Sequence, residues 1–146
     1  MENTNHFVIR AAVPTDLNFI LSSILKAFGN CRYTQNLSHN VKKDIYYYEM
    51  ERQLKQKLMK SVVNVASNPQ DPSQIYGFIM YEEYNECYII HMAYIKRVFR
   101  NMGFFTELIK PLKDKPLFYT LETDASHRVM SKHNAIYNPF LFFTKE

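Results

Sequence analysis

The sequence predicts a mixed α/β fold: a mostly antiparallel sheet flanked by helices, with one parallel strand pair around a central helix. Three observations carry this. Apolar residues recur at helical period in two long segments and gather in short β-branched and aromatic runs elsewhere. Three such runs follow one another through brief polar turns, as antiparallel neighbours do. Near the end, a strand pattern, a helix pattern and another strand pattern succeed one another. That order calls for parallel strands joined by a right-handed crossover.

Each element has its own justification. Residues 7–11, FVIRA, read as a strand from their β-branched and aromatic content. Pro14 suits the first turn of a helix, where a missing N–H costs nothing. Leu17, Ile20, Leu21, Ile24, Leu25 and Phe28 form an apolar stripe at helical spacing, and Gly29 stands at the expected C-terminal cap. Residues 30–40 are polar and irregular. Residues 41–60 predict a second helix, with Tyr47, Met50, Leu54 and Leu58 on one face and Lys55, Lys57 and Lys60 mostly off it. Residues 62–66 and 75–81 are strands separated by the turn SNPQDPS, residues 67–73. EEYNE, residues 82–86, is a hairpin turn with Glu82 and Glu83 solvated, and it leads into a strand over 87–96. A helix over 104–112, a strand over 116–122, a shorter helix over 125–133 and a final strand over 137–143 complete the order. No repeat or linker divides it, so residues 1–146 form one domain.

Composition narrows the function classes. Hydrophobic residues make up 47% and charged ones 22%, which is globular rather than disordered. The net charge of +4 mildly favours an anionic partner. Cys31 and Cys87 form no CxxC pair, and reduced thiols or a single disulfide both fit them. The five histidines show no metal-ligand spacing, so no metal site is predicted. The N-terminus lacks a signal-peptide pattern and no apolar run reaches membrane-spanning length, which predicts a soluble, cytoplasmic protein without a membrane partner. The richness in Asn, Lys, Ile, Tyr and Phe fits an AT-rich genome, bacterial or phage-like.

The stretch HMAYIKRVFRNMGFFTELI, residues 91–109, begins as a strand and ends as an amphipathic helix. Its turn holds one of only three glycines in the chain, close to Arg97 and Arg100. Amides at a helix start point outward with partial positive charge, and glycine lets a ligand approach closely. The turn reads either as a diphosphate cradle or as an ordinary strand-to-helix turn.

Element order and motif together resemble the GNAT superfamily of acyl-CoA-dependent N-acyltransferases. Arg100-Asn101-Met102-Gly103 matches the first four positions of the family's Arg/Gln-x-x-Gly-x-Gly/Ala motif, and Phe105 takes the place of its last small residue. MAYIK, residues 92–96, resembles the family's fourth strand, and FVIRAAVPTDLNFI resembles its usual start. The resemblance implies acetyl-CoA, or another acyl-CoA, as cofactor. It implies cofactor contacts from Tyr94, Ile95, Lys96, Arg100, Asn101, Met102, Gly103, Phe104, Phe105 and Thr106, with an oxyanion-binding N–H near Tyr94 or Ile95. It also implies an amine acceptor of unknown identity.

Amine attack on a thioester wants a general base and a proton for the leaving thiolate. Some family members carry a glutamate base at the position that is Ile89 here. His91 lies two residues on, on the same strand face, and fits either a base or a half-buried core histidine. Glu122 fits either a base or a solvated strand-end charge. Ser131 sits near the position of the family's acid, and Tyr137 fits either that acid or a core aromatic.

A second function class also fits. Phe105 and the altered last helix suit a non-catalytic GNAT-like module that binds a protein or nucleic acid. Tyr46, Tyr47 and Tyr48, among the lysines of the second helix, would supply stacking rings, although no RNA- or DNA-binding motif accompanies them.

Overall fold

Phe78, Ile79, Met80, Ile89 and Ile90 lie on two neighbouring strands and are all fully buried. Strands that are apolar on both faces need cover on both sides. In the computed structural model, which describes residues 6–29 and 46–143, helices provide that cover.

The order is β1 (Val8–Ala11), α1 (Leu17–Gly29), α2 (Tyr48–Lys60), β2 (Val62–Asn68), β3 (Asp71–Tyr84) and β4 (Cys87–Ile95). Then come α3 (Phe104–Ile109), β5 (Leu117–Tyr119), α4 (Asp124–Lys132) and β6 (Ile136–Tyr137). The six strands form one sheet in sequence order. β1 to β4 pair antiparallel, whereas β4–β5 and β5–β6 are parallel. The mixed α/β expectation therefore holds, with two parallel pairs rather than one.

On one face, Ile20, Leu21 and Ile24 of α1 and Leu54 of α2 pack on Phe78, Met80 and Met92. Each such side chain contributes about 1.5–3 kcal/mol on burial. On the other face, Phe104, Leu108 and Ile109 of α3 and Met130 of α4 pack on Ile79, Ile90 and Tyr119. Arg10 clamps the start of the chain through a paired hydrogen bond to Asp16 and a third to the Pro72 carbonyl.

Several boundaries differ from expectation, each for a physical reason. The hairpin turn is only Asn85–Glu86, both at positive φ, so Glu82 and Glu83 belong to β3. α3 tightens into a 3₁₀ turn at Lys110–Leu112, where Pro111 has no N–H to donate. The predicted final strand over 137–143 is instead two residues of β6 followed by a 3₁₀ turn, Pro139–Phe143. Pro139 cannot donate to a ladder. Residues 30–45, with Cys31, His39 and the start of the predicted second helix, lie outside the described residues, and Cys87 is a free thiol. Among the described residues, no helix is long and apolar enough to cross a membrane.

Candidate active site

The site begins with one extra residue. Met80 pairs with Met92, but Tyr81 pairs with Ile90, so His91 is inserted opposite the β3 register. Such a bulge bends its strand and increases the local twist. The β4–β5 ladder ends at the same level: Ile90 faces Tyr119, and the Thr120 N–H makes a last bond to the Ile90 carbonyl. Beyond it the strands part. Expected strand residues 120–122 leave the ladder here, and β5 is three residues long.

A cleft of about 860 Å³ fills the gap. Met92, Ala93, Tyr94 and Ile95 form one wall and residues of α4 the other. The Lys96 N–H bonds to Tyr76 on β3, whereas the Ile95 carbonyl accepts from Arg100 Nε on the opposite side. Peptide groups alternate along a strand, so the amides of Ala93 and Ile95 face the cleft.

The cleft ends on the basic turn. Gly103 has φ 87° and ψ 1°, a left-handed conformation that glycine adopts freely. A Cβ there would meet nothing within 4 Å. The first helical bond of α3 runs from the Glu107 N–H to the Gly103 carbonyl. The N–H of Met102 closes the turn through Arg100 and Asn101, and among the described residues the backbone N–H groups of residues 103–106 have no partner. Arg100, Arg128 and Lys132 line the same cleft. Open space, unpaired donors and positive charge suit a diphosphate. The Phe105 ring does not plug it: it rests against His133 at 5.1 Å, leaning toward α4.

Behind the bulge lies a buried polar network. His91 is wholly buried, with Nε2 2.5 Å from Glu82 Oε2 and Nδ1 2.8 Å from Thr120 Oγ1. Lys57 Nζ reaches the same Glu82 oxygen at 2.9 Å. A carboxylate only accepts, so His91 donates through Nε2 and accepts the Thr120 hydroxyl at Nδ1. Burial lowers the His91 pKa, outweighing the opposing pull of Glu82, and the ring is neutral. Burial alone would raise the Glu82 carboxyl, but hydrogen bonds from Lys57 and His91 hold it below its ordinary value. Phe142 covers the network, 5.3 Å from the His91 ring.

Two expectations are thereby corrected. Glu82 is buried rather than solvated, because it continues the inward alternation of Phe78 and Met80. Lys57 is buried rather than on the wet face, because it falls one turn after Leu54.

Of the expected cofactor contacts, Tyr94, Ile95, Arg100, Asn101, Gly103, Phe104, Phe105 and Thr106 line the cleft. Lys96 instead lies over the Phe19 ring, and Met102 points outward. The three proton-transfer candidates are not brought together. His91 has both ring nitrogens engaged within the core. Tyr137 is half exposed on the edge strand, its ring tilted on Tyr119 at 5.3 Å. Glu122 is buried beside the cleft, accepting from the Tyr119 hydroxyl and from His127 Nδ1, each at 2.8 Å. His127 lines the cleft and was not singled out by sequence reasoning. Its signal was there: it follows Glu122 by five residues across Thr123 and Ser126, whose reciprocal capping bonds start α4.

No family model and no curated protein matches the chain. Solved structures do. A Corynebacterium glutamicum protein, described as histone acetyltransferase HPA2 and related acetyltransferase, aligns with a TM-score of 0.61 at 10% identity, over 88% of this chain and 83% of that one. A GCN5-related N-acetyltransferase of Rhodopseudomonas palustris aligns with a TM-score of 0.58 at 12% identity, over 90% and 83%. The chain spans 65% of a GNAT-family acetyltransferase of Staphylococcus aureus, with a TM-score of 0.47 at 14% identity over 74% of its own length. At such identities a likeness establishes architecture, and the architecture established here is the GNAT fold.

Proposed function

We propose that the protein is an N-acyltransferase that moves an acetyl or other acyl group from CoA to an amine. The observation that carries this is a cleft between β4 and α4, opened where β4 and β5 part, that ends on the unpartnered backbone amides of residues 103–106. When bound, acyl-CoA supplies a carbonyl carbon already activated as a thioester. The amides of residues 103–106 would hold its diphosphate, with Asn101 and Met102 beside it and aided by the charge of Arg100, and the open edge of β4, Tyr94 to Lys96, would hold the pantetheine arm. One N–H that β4 turns to the cleft, that of Ala93 or of Ile95, would donate to the carbonyl oxygen as negative charge develops there. Lys57, Glu82, His91 and Thr120 would keep the bulge in shape, and with it the aim of those amides. His91 is on this reading a positioning residue. Glu122 is the one proton-transfer candidate that adjoins the cleft.

Thermal melting with added CoA tests the reading. A ligand that binds only the folded chain raises the midpoint. We expect a rise with the wild type and none with Gly103→Trp, which fills the cradle. A wild-type midpoint that stays put at saturating CoA would leave the non-catalytic binding module in its place.

A further inference from the structure

We propose that His127 is the proton carrier of the transfer, held in its working tautomer by Glu122; this rests on the acyltransferase reading above. Glu122 is buried and accepts two hydrogen bonds on one oxygen, from the Tyr119 hydroxyl and from His127 Nδ1. A carboxylate cannot donate, so the proton of the neutral ring sits on Nδ1. That leaves a lone pair on Nε2, which has no partner among the described residues. A buried carboxylate fixing one ring nitrogen so that the other can take a proton is the arrangement that general-base chemistry requires.

Position along the cleft agrees. His133 touches Phe105 at the diphosphate end. His127 lies six residues earlier on α4, about 9 Å toward the end where β4 and β5 part. The diphosphate and the reacting carbonyl sit at opposite ends of the CoA arm, so His127 belongs to the reacting end. His127 Nε2 takes a proton from the amine nitrogen as the new C–N bond forms. As the C–S bond breaks and sulfur keeps its electron pair, the imidazolium returns that proton to sulfur. The sum is amine plus acyl-CoA giving amide plus CoA thiol, with His127 restored. The acceptor is therefore an amine that attacks in its neutral form and carries a proton to give up.

The test follows the His127 ring by NMR, assigned with His127→Gln, while CoA or adenosine 3′,5′-bisphosphate is added. Both probes should raise the melting midpoint, and only CoA, which carries the arm, should shift the His127 resonances. Glu122→Gln should move the ring proton from Nδ1 toward Nε2, read from the ¹⁵N shifts, a change that a merely structural glutamate would not cause. His127→Gln should retain the CoA melting shift and slow thiol release from acetyl-CoA plus hydroxylamine by about 10²–10⁴-fold. CoA that binds without moving the His127 resonances overturns the assignment, as do equal release rates or none in either protein. CoA that fails to bind removes the acyltransferase reading itself, and this assignment with it.

Discussion

A Cβ built on Gly77 would overlap the Tyr94 carbonyl oxygen and the Ile95 side chain on β4. Gly103 has open space around it and a backbone angle that other residues resist. The two glycines therefore respond differently to alanine. Gly77→Ala forces the central strands apart and should cost about 1–3 kcal/mol, the usual range for overpacking. Gly103→Ala meets no atom and should cost about 1–2 kcal/mol, the left-handed penalty alone. Denaturant midpoints of the two variants check this. A Gly77→Ala variant as stable as the wild type would mean that β3 and β4 approach less closely than described.

Between elements, the buried ionic network decides most. Lys57, Glu82, His91 and Thr120 come from α2, β3, β4 and the end of β5, and no two of them are neighbours in sequence. Glu82→Gln would remove the carboxylate that the buried Lys57 ammonium and the His91 ring both bond, which should cost about 3–5 kcal/mol in chemical denaturation. The network also sets a direction with pH. His91 has a lowered pKa in the fold, so below an ordinary value near 6.5 the unfolded chain binds a proton that the folded chain does not. Stability then falls as pH drops from 7 toward 5. Glu82, also lowered, extends the loss at more acidic pH. In His91→Gln the slope between pH 7 and 5 should flatten, and an unchanged slope would point to another group. The same network explains what the sequence hid. The α1 stripe and the parallel β4–β5 pair were legible, because periodicity and element order are local signals. Lys57 and Glu82 looked like surface charges, since the ion pair that lets both be buried joins residues 25 positions apart. The Asn101–Gly103 turn was legible from its glycine. The pairing of His127 with Glu122 went unseen because a scattered histidine carries no periodicity.

For the whole molecule, a +4 charge and a cleft lined by Arg100, Arg128 and Lys132 point the same way, toward an anion. CoA at one hundred times its dissociation constant should stabilise the fold by about 2.7 kcal/mol. At this chain length that is a rise of about 5–10 °C, large enough for a simple melt to resolve. The insertion at position 91 bears on the same experiment. His91 and Met92 both turn toward the α1–α2 side, so removing His91 would restore plain alternation and leave the other β3–β4 partnerships unchanged. A chain shortened by that single residue should still assemble its sheet, yet β4 would run straight on beside β5. The slot would then close like a seam. Ligand capture would be lost in one deletion, which marks that residue as room made for a guest as well as mortar between strands.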